Sequence, residues 1–101
     1  MTLETYIRSL TGHVFKILPL KEAVDRGEPV QVAEYIQSLV CDAAGAMRIF
    51  PELNDSVEYG AVLNVLSFLS TEPFDHKTCK REVFKMLRVL NRIEKDGGDH
   101  E

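Results

Sequence analysis

The sequence contains no long hydrophobic run. No apolar stretch in the chain approaches the ~20 residues that a helix needs to cross a bilayer. The first residues, MTLETYIRSL, mix acidic and polar side chains with apolar ones, so they lack the continuous apolar segment of a secretory signal peptide. We therefore expect a cytoplasmic protein that does not interact with a membrane.

Cysteine is scarce, with Cys41 and Cys79 as the only two, each within a separate predicted helix. Because cytoplasmic thiols are kept reduced, we expect both to be free and to serve as small core residues. His76 and Cys79 lie three residues apart and could face one metal ion. Zinc needs four ligands, however, and His13, His100 and Cys41 add no recognisable spacing. We therefore predict neither a disulfide nor a metal site.

Catalytic motifs are also absent from the sequence. The chain has no glycine-rich phosphate loop, no nucleophile elbow and no paired-carboxylate motif. An enzyme would need a site assembled from scattered polar residues, in a deep pocket lined by His13 or Asn64. We therefore predict a protein that is not an enzyme and uses no cofactor, and we keep an enzyme as the least favoured of three functional classes.

Strand-like alternation of apolar and polar residues is missing, whereas helical spacing recurs along the chain. In the first predicted helix the apolar residues recur at intervals of three and four, namely Leu3, Ile7, Leu10, Val14 and Leu18. Pro19 then removes a backbone donor and disfavours the helical conformation of the preceding residue. We expect this helix to be kinked or broken at Pro19. The sequence leaves open whether one kinked helix or two separate helices precede Gly27.

Three more helices are predicted, and the second begins with Pro29, a residue that suits the first helical position. On this helix Ser38, Cys41 and Gly45 form a line of small side chains that would let another backbone approach closely. The third helix is predicted to be capped by Asp55, with Glu58 three residues on. It carries no charge after Glu58, and a helix that is apolar nearly all round is buried on most sides. We expect it at the centre of the bundle or in an oligomer interface.

Short connections between four main helices favour an all-α fold, a compact antiparallel bundle with up-and-down connectivity. A chain of 101 residues has room for one such core, which we assign to residues 1–96. Gly97 and Gly98 are typical of a helix end. We therefore expect residues 97–101 to form an acidic, frayed tail.

Positive charge is concentrated in one stretch of the chain. Residues 76–95 hold seven Lys/Arg and two Asp/Glu, whereas residues 1–75 hold five and eleven, and residues 96–101 hold none and three. A segment of net charge +5 therefore belongs to a chain whose net charge is −4. Because the chain as a whole is acidic, binding to nucleic acid through bulk charge is disfavoured.

The basic stretch forms the last predicted helix, which Asp75 caps. At ~100° per residue, its apolar line from Cys79 to Ile93 lies opposite its Lys and Arg side chains, and Phe84 projects among the latter. An exposed aromatic ring surrounded by cations has the composition of a binding hot spot. We predict that the partner-binding residues are Lys77, Arg81, Phe84, Lys85, Arg88 and Arg92. The plainer alternative is a solvated face whose cations pair with acids on neighbouring helices.

These patterns favour a small cytoplasmic interaction protein of the adaptor, regulator or inhibitor type, which docks through its helix faces and forms homo-oligomers. Its expected partner is a protein with an acidic surface, another copy of the chain included. The second class is a nucleic-acid-associated protein, in which the cations contact phosphates and Phe84 stacks on a base. The sequence leaves open whether Phe84 is exposed.

Overall fold

A computed structural model describes residues 1–98, with side chains described through Lys95. In this part of the chain the secondary structure is entirely helical: α1 (Leu3–Phe15), α2 (Ile17–Asp25), α3 (Val32–Ile49), a short 3-10 helix (Pro51–Asp55), α4 (Val57–Thr71) and α5 (His76–Gly98). The first two are the halves of the first predicted helix. The predicted all-α bundle of four main helices, the first of them broken, is confirmed.

The break between α1 and α2 lies at Lys16, one turn before Pro19. A proline cannot donate to the carbonyl four residues earlier, and its ring crowds that carbonyl. For Pro19 that carbonyl belongs to Phe15, the last residue of α1, so the helix is interrupted there. α2 then ends at Asp25, and Gly27 follows its cap with a φ of +85°, a conformation that glycine adopts without steric cost.

Neighbouring helices run in opposite directions. Arg8 in the first half of α1 lies 3.5 Å from the carboxylate of Glu94 near the end of α5. Arg92 in the same part of α5 lies 3.3 Å from Glu58 at the start of α4. α5 therefore packs between α1 and α4 and is antiparallel to both. α1 and α3 are also neighbours, but they contact each other far less than α1 contacts α5 or α3 contacts α4.

The core contains apolar side chains from every helix, among them Ile7, Val14, Ile17, Ile36, Leu53, Leu66, Val83 and Leu90. Tyr59 is its largest fully buried side chain, and its hydroxyl donates to the carbonyl oxygen of Ala43 at 2.6 Å. The hydroxyl of Tyr6 lies 3.3 Å from that of Tyr59. Burial raises the pKa of Tyr59 far above its usual range, so its hydroxyl remains a proton donor. This bond ties the start of α4 to the second half of α3.

The predicted start of the second main helix is wrong. α3 begins at Val32 rather than at Pro29, and Gln31 precedes it with non-helical backbone angles (φ −103°, ψ 77°). The chain leaves α2 through the turn at Gly27, in which the N–H of Glu28 donates to the carbonyl of the fifth residue before it. Residues 29–31 therefore serve to carry the chain across to the next helix.

The predicted cap of α4 is also one residue out. Ser56 is the capping residue, and its Oγ accepts a hydrogen bond from the backbone N–H of Tyr59 at 3.0 Å. Asp55 is the last residue of the 3-10 helix, so its backbone does not have the extended conformation that a capping residue needs. Ser56 does have it, with φ −89° and ψ 109°.

α5 continues through Gly98, two residues past the predicted domain boundary at residue 96. The remainder of the predicted tail, residues 99–101, lies outside the described residues. Within residues 1–98 no helix combines the length and the apolar character needed to cross a membrane.

Candidate docking surface

The basic face of α5 comprises seven exposed side chains, Lys77, Lys80, Arg81, Lys85, Arg88, Arg92 and Lys95. The opposite face of the helix is fixed in the core, because Cys79, Val83 and Leu90 are fully buried. Apolar burial along one side thus decides which way the cations point. The structure brings all six predicted partner-binding residues onto one exposed helix face.

Asp75 fixes the start of this helix. The backbone N–H of Thr78 donates to Asp75 Oδ1 at 2.7 Å, as predicted for a capping residue. Hydrogen bonds from the Thr78 side chain and backbone hold the pKa of Asp75 below its usual range. The carboxylate therefore remains charged at the helix N-terminus, where the helix dipole favours an anion.

Most cations of the basic face have no acidic partner among residues 1–95. Arg92 pairs with Glu58 of α4, and Arg81 pairs at 3.0 Å with its own neighbour Glu82. Among the side chains described, residues 1–95, the remaining pairs all lie elsewhere, so Lys85 and Arg88 have no carboxylate within 4 Å. Lys77 and Lys80 are likewise unpaired in that part of the chain. Within residues 1–95, Arg92 is therefore the one cation of this face that pairs with an acid on a neighbouring helix.

Phe84 is 42% exposed, although it is a large apolar side chain. It lines a shallow depression together with Thr11, Leu87, Arg88 and Asn91. A second depression shares Arg88 and Asn91 and is lined also by Lys85, Val89 and Arg92. The surface thus combines an aromatic ring, an amide and several cations within a few turns of one helix.

The pair His76 and Cys79 does not form a common site. Cys79 is fully buried, and this burial raises the pKa of its thiol to about 11. His76 is exposed on the same helix. Among the side chains described, those of residues 1–95, no three from His, Cys, Asp or Glu come together as metal ligands would.

The sequence did not predict a groove between α1 and α3. Its volume is about 530 Å³, and its walls include His13, Cys41 and Asp42. Cys41 is exposed, so its predicted place in the core is wrong, whereas that of Cys79 is confirmed. The Nδ1–H of His13 donates to the carbonyl of Ser9 in its own helix at 2.7 Å. No hydrogen bond between His13 and Cys41 is formed among residues 1–95, so the groove holds no assembled nucleophile–base pair.

The line of small residues on α3 belongs to this groove wall and to solvent. Ser38, Cys41 and Gly45 are all exposed, and a Cβ added at Gly45 would meet no atom within 4 Å. No helix of the described chain makes the close approach that these residues would permit. The line of small residues was visible in the sequence, but its spacing could not show which helix lies opposite it.

α4 is not the centre of the bundle, because it buries only one side, through Tyr59, Val62, Leu66 and Leu69. Its outer side is exposed and carries no charge, and Val57 and Phe68 are 86% and 49% exposed there. The predicted place of this helix at the centre of the bundle is therefore wrong, and its role in an oligomer interface stays a prediction.

No protein-family model, no curated protein and no solved structure matches this chain.

Proposed function

We propose that this chain is a non-enzymatic docking protein of the adaptor, regulator or inhibitor type, and that the basic face of α5 binds an acidic surface on a protein partner. The observation that carries the proposal is the set of exposed cations around the half-exposed ring of Phe84, most of which have no acidic partner among residues 1–95. Exposed charges contribute little to folding stability, so these cations can take an acidic partner at little cost to the fold.

An acidic protein surface fits this face better than a generic polyanion does. Carboxylates would pair with Lys85 and Arg88 without displacing a partner, since neither has one in the described chain. Phe84 offers an apolar anchor among the surrounding Lys and Arg side chains. This arrangement is found at interface hot spots. The rest of the molecule is acidic and would repel the extended phosphate backbone of a nucleic acid.

Single-stranded nucleic acid is the alternative partner, and one depression favours it. There Phe84 could stack on a base, Arg88 could pair with a phosphate, and the Asn91 amide could bond to a base edge. The two partners differ in salt dependence and in sequence tolerance, so a direct comparison separates them.

The test compares a labelled peptide of alternating Glu and Leu with an oligothymidylate of equal charge, at physiological salt. The peptide should bind, and the double variant Lys85→Glu/Arg88→Glu should weaken it about tenfold or more, because two attractions become repulsions. The matched control is Lys16→Glu/Arg48→Glu, which makes the same charge change at exposed residues elsewhere. Equal loss in both double variants would overturn the site, and preferential binding of the oligothymidylate would favour the alternative.

Phe84 is tested separately by Phe84→Ala. The matched control is Phe15→Ala, because Phe15 is 51% exposed at the end of α1 and lies outside the basic face. Truncation of an anchoring aromatic should reduce peptide affinity about tenfold, whereas the control should leave it unchanged. Equal affinities of the two variants would remove Phe84 from the site.

The proposal also includes self-association and a cytoplasmic location. Both cysteines are free, a state that the reducing cytoplasm maintains. Self-association is supported by the exposed, uncharged side of α4, which is distinct from the basic face of α5.

A further inference from the structure

We infer that two copies of this chain pack through the outer face of α4, antiparallel to each other, about a two-fold axis that passes beside Asn64. This inference rests on the proposed self-association and assigns the surface that performs it. The outer face is the set of exposed residues Val57, Ala61, Asn64, Ser67, Phe68 and Thr71.

The outer face of α4 lacks charge. No charged residue occurs from Tyr59 to Thr71, although 28% of the chain is charged. A charged partner surface would lose its hydration against this face and gain no ion pair in return. The face therefore selects a neutral partner, and the same face of a second copy is a neutral partner that the chain itself provides.

The order of residues about the centre of α4 favours an antiparallel pair. Asn64 is the middle residue of α4, which runs from Val57 to Thr71. In an antiparallel pair centred there, each residue meets the one equally far on the other side of Asn64. Phe68 of one copy therefore meets Gly60 of the other, and the reverse contact follows by symmetry.

This pairing joins a projecting side chain to an open space. Phe68 is 49% exposed, so its ring stands out from the face. A Cβ added at Gly60 would meet no atom within 4 Å, so the space above that glycine is free in the single copy. Aligned rows of residues four apart are the commonest contact between packed helices, and this contact brings residues 60, 64 and 68 of both copies together.

Asn64 suits the position at the axis. Its side-chain amide carries both donors and an acceptor, so two symmetry-related amides can bond to each other reciprocally. A single asparagine in an apolar helix interface is known to fix the register of the two helices. The same residue thus allows the contact and restricts it to one alignment.

The contact is a small one. A helix of 15 residues is about 22 Å long, and one helix face covers less than the ~800 Å² per partner of a standard interface. We therefore expect association in the micromolar range or weaker, observable by analytical ultracentrifugation between about 10 μM and 1 mM.

The experiment compares Phe68→Glu and Gly60→Leu with the natural sequence and with Phe15→Glu, a matched control on another exposed phenylalanine. The natural sequence and the control should dimerise, whereas Phe68→Glu should remain a monomer up to 1 mM, because it places a charge in the contact. Gly60→Leu should weaken dimerisation at least tenfold by filling the space that Phe68 of the partner occupies. The space is open in the single copy, so this variant should retain its fold, and circular dichroism checks it.

A symmetric crosslink tests the axis directly. In a Cys41→Ser background, Asn64→Cys should oxidise to a covalent dimer, because residues beside the axis come within disulfide distance of their own copies. The matched control Thr71→Cys should not, since seven residues from the axis place its two copies about 21 Å apart.

The possible outcomes distinguish self-association, the α4 interface and peptide binding by α5. If the natural sequence is a monomer at 1 mM, both self-association and this interface are wrong. If it dimerises but Phe68→Glu and Gly60→Leu dimerise equally well, self-association stands and the α4 interface is wrong. Binding of the acidic peptide to Phe68→Glu reports on α5 independently of both.

Discussion

At the scale of single residues, Cys41 and Cys79 show how position decides chemistry. Both lie within helices, and both are free thiols. Cys79 is fully buried on the core side of α5, and burial raises its pKa to about 11 because the thiolate would lose its hydration. Cys41 faces solvent on the wall of the α1–α3 groove.

We predict that only Cys41 reacts with a thiol reagent such as Ellman's reagent in the folded protein at pH 8. The thiolate is the reacting species, and Cys79 is both inaccessible and protonated at this pH. One equivalent of thiol should react rapidly, and the second only after unfolding in guanidinium chloride. The variant Cys41→Ser should lose the rapid phase, and two rapid equivalents in the natural sequence would contradict the buried position of Cys79.

The same pKa shift has a consequence for stability at alkaline pH. A thiol that holds its proton more tightly in the folded state stabilises the fold fully below its ordinary pKa. This contribution is lost as the pH rises through about 11, the pKa of Cys79 in the folded protein. The buried Tyr59 acts in the same direction, since its pKa is also raised by burial.

At the scale of the elements, the helix ends depend on a few backbone and side-chain hydrogen bonds. The start of α4 is an example, because Ser56 Oγ accepts a hydrogen bond from the backbone N–H of Tyr59. The side chain of Tyr59, which lies in the first turn of α4, is fully buried in the core. The preceding 3-10 helix anchors itself through Leu53, which is 2% exposed. Cap and anchor together fix the direction in which α4 leaves the turn.

We predict that Ser56→Ala lowers the free energy of unfolding by about 1 kcal/mol, the usual cost of losing a capping hydroxyl. Asp55→Ala should cost clearly less, since Asp55 makes no capping bond to this helix in the described structure. Urea unfolding followed by circular dichroism measures both. A larger loss for Asp55→Ala would restore the cap that the sequence pattern suggested.

At the scale of the whole molecule, the bundle is elongated, with extents of 48 × 21 × 21 Å. Its helices form a single layer around the core. Every helix therefore keeps an outer face, and two adjacent outer faces differ sharply. That of α5 is basic, whereas that of α4 is uncharged. In the proposed dimer the two-fold axis is perpendicular to α4. The axis therefore places α5 of both copies on the same side of the dimer. Both basic faces would then be open to one large acidic partner.

Salt should distinguish these two surfaces. Raising sodium chloride from 50 to 500 mM shortens the Debye length to a few ångströms, so binding of the Glu/Leu peptide to α5 should weaken several-fold. Dimerisation through α4 should be unchanged or slightly strengthened, because no ion pair is involved and repulsion between the two basic faces is screened. A dimer that dissociates with salt would indicate instead that α5 of one copy binds the acidic surface of another.

The sequence by itself determined the class of fold and the direction of the basic face. Apolar spacing of three and four residues fixes which side of each helix is buried, and on α5 this places Lys85 and Arg88 on the opposite side. Pro19 and Gly27 similarly indicate where helical hydrogen bonding is interrupted. Their effects on the backbone do not depend on the tertiary fold.

Only the tertiary structure decided which faces remain uncovered. Burial of the outer residues of α4, of Cys41 and of Gly45 depends on whether another helix stands opposite, and sequence spacing contains no information about neighbours. The choice between Asp55 and Ser56 as a cap likewise depended on the 3-10 helix that precedes α4. Phe84 lies 42% exposed for the same reason, since α1 and α4 flank α5 without covering its outer side.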